Sequence, residues 1–160
     1  MLRYGYAFDR DTSLIEDCVH ELFIELWQKR DRIGDTTSIK NYLLVSIKRK
    51  IWSKQKAKKR KKFEVLENDQ FIDFDLNIEA KMIEGERMSE QMRLLLGSVD
   101  QLSSRQREII YLKYHEDLDY EGICEVMDMS YQSARNLLST ALGRLKKLML
   151  GILFLIFSLL

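Results

Sequence analysis

The sequence predicts an all-α protein made of two small helical domains joined by an acidic linker. The 160 residues include no proline and only seven glycines, whereas a β-sandwich or barrel needs a turn roughly every 8–12 residues. Apolar residues recur at helical spacing in several separate segments. Hydrophobic residues make up 46% of the chain and charged residues 32%, which is the composition of a globular protein.

Charged residues divide the chain into blocks, although the net charge is only +1. Residues 48–62, here called the basic run, carry ten basic side chains and no acidic one, and residues 63–90 carry nine acidic side chains against two basic ones. A cationic block followed by an anionic one indicates a domain boundary. The expected segments are a first domain over 1–62, an acidic linker with a helix over 63–99, a second domain over 100–147 and an apolar tail over 148–160.

Two helices are predicted in the first domain. The first has an apolar stripe with the spacing of one helical face, formed by Ile15, Cys18, Val19, Leu22, Phe23 and Leu26. Its opposite face is polar, so we expect these positions to have no role in the core: Asp17, Glu21, Glu25 and Gln28. Residues 32–38 are rich in glycine, aspartate and hydroxyl side chains and predict a loop. The second helix begins near Ile39 or Lys40 and ends in the basic run.

The second domain has the pattern of a helix-turn-helix. A capping box at Ser103 starts one helix, and Asp119 caps a short helix over Tyr120–Met127. Asp128 falls where a tight turn between helices requires a left-handed residue, which aspartate tolerates better than most. Ser130 then caps a longer helix with an unbroken apolar stripe.

The helix that follows Ser130 carries side chains that suit a DNA groove. Glutamine, arginine and asparagine bind base edges bidentately in the major groove, so we predict that this helix reads duplex DNA. The alternative is an ordinary helical hairpin whose polar face contacts only water. The candidate duplex-binding residues are Tyr131, Gln132, Ser133, Arg135, Asn136, Arg144 and Lys146.

Catalytic and metal-binding patterns are absent from the sequence. His20 and His115 stand in different segments, so neither belongs to the histidine pair of a zinc peptidase, and no phosphate loop or nucleophile elbow occurs. Cys18 and Cys124 form no CxxC motif or disulfide framework. Both lie in apolar stripes, so we expect buried cysteines. We therefore expect no enzyme activity, no cofactor, no metal and no small-molecule substrate.

The two ends of the chain bear on its location. The first residues lack the apolar stretch of a signal peptide. The apolar tail, residues 148–160, has thirteen residues, whereas a spanning helix needs about twenty. We therefore expect a cytoplasmic protein.

Three segments resemble a known family. They are EDCVHELFIELWQKRDRI (16–33), SIKNYLLVSIKRKIW (38–52) and LSSRQREIIYLKYHEDLDYEGICEVMDMSYQSARNLLSTALGRLKK (102–147). In this order they are similar to the extracytoplasmic-function sigma factors, the smallest sigma-70-type subunits of bacterial RNA polymerase. In that family a longer segment precedes the equivalent of Asp9, so the chain is expected to lack most of the first helix of its first domain. Arg49 stands where the family usually has asparagine.

The resemblance implies a protein that directs RNA polymerase to promoters. Its second domain would bind the polymerase flap and read the minus-thirty-five element. In its first domain, the four polar positions of the first helix would bind the polymerase clamp helices. Single-stranded minus-ten DNA would meet Lys40, Asn41, Lys48, Arg49, Trp52, Lys54 and Lys58.

The implied partners are the bacterial RNA polymerase core, promoter DNA and an anti-sigma factor. The density of cations in the basic run also favours a nucleic acid partner on physical grounds, because ten cations in fifteen residues repel one another unless a polyanion neutralises them. An alternative function is a stand-alone helix-turn-helix regulator that binds duplex DNA as a dimer.

Overall fold

A computed structural model describes residues 1–32, 34, 36–61 and 97–158. Every regular element among these residues is a helix, which confirms the predicted all-α class. The chain divides into two compact units, Met1–Asp73 and Phe74–Leu160. Residues 63–96 of the predicted acidic linker lie outside the described residues, so the helix expected there and the expected domain limits stay predictions.

The first unit is built from three α-helices and one short 3₁₀ helix. They are α1 (Leu2–Tyr6), α2 (Thr12–Gln28), the 3₁₀ helix (Arg30–Arg32) and α3 (Ile39–Lys61). The side chain of Asp11 caps α2, since its carboxylate accepts a hydrogen bond from the backbone N–H of Leu14. The start of α3 at Ile39 confirms the prediction for that helix.

The core of the first unit forms where α1 lies against α2 and α3. Tyr4, Ile15, Cys18, Ile47 and Ile51 have no exposed surface. Burial raises the pKa of the Cys18 thiol, as expected for a cysteine that packs as a small apolar side chain. Interdigitation of three helices around these side chains explains why so short a helix as α1 is held in place.

The predicted apolar stripe of α2 is only partly correct. Ile15, Cys18 and Leu22 are buried, but Phe23 is 51% exposed. Successive residues of an α-helix point about 100° apart, so the burial of Leu22 against α3 turns Phe23 away from the core. The placement of Phe23 in the core is therefore wrong.

A ladder of ion pairs joins α2 to α3 beside this core. Lys50, Lys54 and Lys58 recur every four residues and so lie on one face of α3. The pairs, which we call the α2–α3 ion ladder, are Lys50–Glu25 (2.6 Å), Lys50–Glu21 (3.4 Å), Lys54–Glu21 (2.6 Å) and Lys58–Asp11 (3.3 Å). Glu21 and Glu25 thus lie outside the core, but both carboxylates bind lysines of the neighbouring helix.

These contacts shift the protonation equilibria of the groups involved. The hydrogen bond from Lys54 lowers the pKa of the Glu21 carboxyl, and the same bond raises the pKa of Lys54. The backbone N–H of Leu14, followed by the ammonium of Lys58, lowers the pKa of Asp11. The charged forms of Glu21, Lys54 and Asp11 are thus favoured in the folded state.

The second unit contains α4 (Ser104–Tyr114), α5 (Tyr120–Met127) and α6 (Tyr131–Ser158), and residues 97–100 are also helical. The capping box at Ser103 is present as predicted, with the Ser103 hydroxyl accepting from the Gln106 backbone and the Gln106 side chain accepting from the Ser103 backbone. Helix α4 packs against α6, and α5 packs against both.

The turn between α5 and α6 also has the predicted geometry. Asp119 caps α5 by accepting from the Gly122 N–H at 2.8 Å. Asp128 ends α5 in the left-handed conformation, with φ 50° and ψ 64°. The Ser130 hydroxyl accepts from the Ser133 N–H at 3.2 Å and caps α6. Two short-range polar contacts and one left-handed residue therefore define the helix-turn-helix.

The core of the second unit lies between these three helices. Ile109, Leu112, Ile123, Ala134 and Ala141 have no exposed surface. The two alanines let α6 approach its neighbours closely, and their side chains add little bulk at the contact. Cys124 is only partly buried, so the expectation of a buried cysteine holds for Cys18 and not for Cys124.

The apolar tail continues the last helix. Helix α6 extends to Ser158 and so takes in most of residues 148–160. Among the residues that the structure describes, no helix has the length and apolar character that a membrane span requires.

We predict that Gly5→Ala lowers the free energy of unfolding by about 1–3 kcal/mol, the usual cost of overpacking a core. A Cβ at position 5 would lie 2.7 Å from Cγ2 of the buried Ile15. Urea denaturation followed by circular dichroism measures the effect. Gly143→Ala is the matched control, since nothing lies within 4 Å of its Cβ position and alanine is the better helix former. Equal losses in the two variants would contradict the prediction.

We also predict that the ion ladder makes stability fall with acidity. Because Glu21 has a lowered pKa in the folded state, its contribution is present above the usual carboxyl pKa and disappears as the pH falls through the lowered value. Glu21→Gln should therefore reduce stability at neutral pH, by less than about 1 kcal/mol for so exposed a pair, and have no effect at low pH. Asp17→Asn, at a position outside the ladder, should change little. A pH-independent loss in Glu21→Gln would refute this role.

Candidate nucleic-acid interface

The first turns of α6 present a polar surface. Tyr131 is 51% exposed, and Gln132, Ser133, Arg135 and Asn136 are exposed as well. The turn at Asp128 and the burial of Ala134, Leu138 and Ala141 fix which side of α6 faces outward. The structure thus brings five of the predicted duplex-binding residues together at one end of the helix. Arg144 and Lys146 are exposed further along it.

Hydrogen bonds organise part of this surface. Gln132 Nε2 donates to Asn136 Oδ1 at 3.0 Å, and the Ser130 and Ser133 hydroxyls lie 2.8 Å apart. Arg135 differs, since it has no hydrogen bond or ion pair with any residue that the structure describes. Its guanidinium therefore keeps all its donors for an external acceptor.

An aromatic and cationic cluster extends this surface toward α4. The rings of Tyr120 and Tyr131 lie 5.3 Å apart, and Lys113 Nζ lies 5.5 Å from the centre of the Tyr120 ring. Lys113 also donates to the Leu118 carbonyl at 3.0 Å, which holds the ammonium in place. Sequence patterns did not suggest Lys113 or Tyr120, because the three side chains come from three different helices.

The predicted minus-ten residues on α3 do not share one surface. Lys40 and Arg49 are exposed, and Trp52 is 42% exposed with the Lys56 ammonium 5.5 Å from its ring centre. Lys48 is partly buried, with its ammonium 5.9 Å from the centre of the Phe8 ring. The outward group therefore consists of Lys40, Arg49 and Trp52, with one lysine ammonium near the tryptophan ring.

The remaining members of that set are buried or form ion pairs with other residues of the first unit. Asn41 is only 8% exposed, because it shares the buried face of α3 with Leu44, Ile47 and Ile51 at spacings of three and four residues. Its predicted surface position is therefore wrong. Lys54 and Lys58 belong to the ion ladder, so acidic side chains of the same unit already neutralise them.

Helix α2 displays an apolar patch next to its acidic face. Asp17, Glu21, Glu25 and Gln28 are exposed as predicted. Beside them Phe23 and Ile24 are about half exposed and Trp27 is 71% exposed. We call these three the α2 apolar patch. The guanidinium of Arg30 lies 5.0 Å from the Trp27 ring centre.

Exposed aromatic side chains grouped in this way mark protein interaction surfaces. Sequence reasoning missed the patch because the helical periodicity of α2 assigns Phe23 to the core. Within the described residues no three acidic, histidine or cysteine side chains are grouped so as to hold a metal ion.

The second unit is similar to a known protein family. Residues 92–145 match the family described as sigma-70, region 4, which takes in α4, α5 and the first half of α6. No curated protein sequence matches the chain.

A solved structure resembles the chain over most of its length. It is the sigma factor RpoE from Bartonella quintana, crystallised in complex with the anti-sigma factor NepR. The TM-score is 0.62 at 18% sequence identity, and the match covers 92% of this chain and 89% of that one. The second unit thus matches sigma-70, region 4, and the chain shares the fold of this sigma factor over most of its length.

Proposed function

We propose that the chain is an RNA polymerase sigma factor of the extracytoplasmic-function group and that it contacts promoter DNA and polymerase through three separate surfaces. The start of α6 reads the minus-thirty-five element, the outward face of α3 binds the minus-ten strand, and α2 binds the polymerase core. The observation that carries the proposal is the polar start of α6 behind a left-handed turn at Asp128. This is the geometry by which a recognition helix enters the major groove.

The α6 surface combines base-reading and backbone-binding groups. Arg135 near the start of the helix is suited to the O6 and N7 acceptors of guanine. Arg144 and Lys146, two to three turns further on, are suited to phosphate, which fixes the register without reading sequence. The order of these residues along the helix therefore assigns specificity to its start and general affinity to its later turns.

The outward face of α3 has the composition of a single-strand binding surface. Trp52 offers a partly exposed ring on which an unpaired base stacks, and Arg49 supplies a cation for the backbone. Lys40 adds a charge at the start of the helix. Residues 59–62 complete the basic run in the sequence and remain part of the proposal on that ground alone.

Helix α2 supplies the polymerase contact in this proposal. Asp17 and Gln28 are exposed polar positions outside the ion ladder, and the α2 apolar patch lies beside them. An apolar centre with a polar rim is the composition of a protein interface. We infer that the patch provides the affinity and the acidic positions the orientation.

An anti-sigma partner and a cytoplasmic location complete the proposal. The sigma factor RpoE of Bartonella quintana was crystallised with such a partner, and the exposed patch on α2 offers a surface that a protein inhibitor would cover. A stand-alone regulator that binds DNA as a dimer is less well supported, because it leaves α2 and α3 without a function.

Run-off transcription tests the proposal directly. Purified bacterial core polymerase is assayed on a promoter library with and without the full-length chain. Promoter-dependent transcripts that require the chain support the assignment. A helix-turn-helix regulator acting alone would bind duplex DNA without polymerase and give no such transcripts.

We predict that Arg135→Ala and Lys146→Ala have different effects on promoter choice. Loss of Arg135 should cost about 1–3 kcal/mol at one base position and relax the preference there. Loss of Lys146 should weaken all promoters alike and reduce the salt dependence by about one phosphate contact. Transcription over a library of minus-thirty-five variants measures both effects. Unchanged preference in the Arg135 variant would refute its role.

We further predict that two cations on α3 behave differently when replaced by glutamine. Arg49→Gln should reduce the slope of promoter opening against log salt by about 0.7, the value for one phosphate of a single strand, with little effect on stability. Lys54→Gln should lower stability instead, because it removes a rung of the ion ladder. Permanganate footprinting and thermal denaturation measure the two properties. If Lys54→Gln reduced the salt slope of promoter opening more than Arg49→Gln did, this division would be contradicted.

A further inference from the structure

The hydrogen bond between Gln132 and Asn136 joins two residues that are both predicted to bind bases. We propose that Gln132 reads an adenine of the minus-thirty-five element and that Asn136 is a positioning residue that holds the Gln132 amide in its reading orientation. This inference rests on the proposed function of α6. It changes the role of Asn136 from a base contact to a support for one.

The atoms left free on Gln132 match the edge of adenine. Gln132 Nε2 commits one of its two N–H bonds to Asn136 Oδ1. Its second N–H and its carbonyl oxygen Oε1 remain for a ligand. Adenine presents in the major groove an acceptor at N7 and a donor at N6, which a glutamine amide satisfies with two hydrogen bonds.

The bond to Asn136 also opposes reversal of the Gln132 amide. While Asn136 presents Oδ1, a rotation of the Gln132 amide by 180° would bring its Oε1 against that oxygen, and two acceptors have no proton to share. Guanine presents acceptors at both N7 and O6, so a fixed Oε1 opposes its O6. A free glutamine turns without loss to offer its N–H groups, whereas the paired one must give up its bond to Asn136 or turn together with it. The pair therefore favours adenine over guanine.

Position along the helix decides which of the two residues reads. Gln132 is the second residue of α6, and the N-terminal residues of a recognition helix are those that contact base edges. Asn136 lies one turn further on with a shorter side chain, and its carbonyl oxygen already accepts from Gln132. In the same first turn the Ser133 hydroxyl is engaged with Ser130.

The test uses the full-length chain bound to core polymerase. Promoters carry each of the four bases at every minus-thirty-five position, and relative binding is measured by competition. The parent should prefer adenine to guanine at one position by about ten-fold, within the range of a bidentate contact. Gln132→Leu and Asn136→Leu should each abolish that preference. The double variant should lose no more than the single ones, because both changes remove the same contact.

Three further measurements separate positioning from mere helix support. Asn136→Asp keeps an oxygen that accepts from Gln132, so the ratio of adenine to guanine should survive although the added charge weakens all binding. A 7-deazaadenine at the same position removes the N7 acceptor, which should weaken the parent and leave Gln132→Leu unaffected. Ser139→Leu places the same bulk on an exposed position of α6 outside the pair and should keep the preference.

The outcomes that overturn the inference differ from those that overturn the function. The inference is wrong if Asn136→Leu keeps the adenine preference. It is also wrong if the losses of preference in the two single variants add, or if they fall at different base positions, because the two residues then act independently. Lower melting temperatures with unchanged base preference would likewise show only a helix-stabilising pair. A parent that supports no promoter-dependent transcription would instead refute the proposed function itself.

Discussion

The left-handed turn at Asp128 is the constraint on which the proposed DNA-reading surface depends. A residue with φ 50° ends α5 and redirects the chain within three residues, so that α6 starts at a fixed angle to α5. Few residues other than glycine adopt this conformation without strain, and aspartate is one of them. The burial of Ala134 and Ala141 against the neighbouring helices then fixes the rotation of α6. The turn and the burial of these alanines together make the polar start of α6 face outward.

A second constraint divides the cations of α3 by their position on the helix. Lys50, Lys54 and Lys58 continue the buried face of Ile47 and Ile51, and acidic residues of the first unit neutralise them. Arg49 and Trp52 lie on the outward side. Ten cations in one run are therefore not equivalent, since some hold the fold together and others are available to a polyanion. Charge counting along a sequence does not make this distinction, because it depends on what lies across from each residue.

Features that depend on contacts between residues close in the sequence could be predicted, whereas features that depend on packing between distant segments could not. The caps at Ser103, Asp119 and Ser130 and the turn at Asp128 depend on contacts within three or four residues, and each was found as predicted. Periodicity also predicted α2 to α6, whereas the short α1 was not predicted. The inward position of Asn41 and the outward position of Phe23 depend on which helix packs against which, and that is information from distant parts of the chain.

The pairing of Gln132 with Asn136 shows how such a local contact changes a functional reading. Residue types alone assign a base to each amide, whereas the hydrogen bond between them makes one side chain the support of the other. The sequence shows that the two residues are four positions apart. This spacing alone does not say whether the two side chains bind each other or separate ligands. Because an amide that is held in advance loses less freedom on binding, a recognition helix gains specificity by giving up one of its contacts.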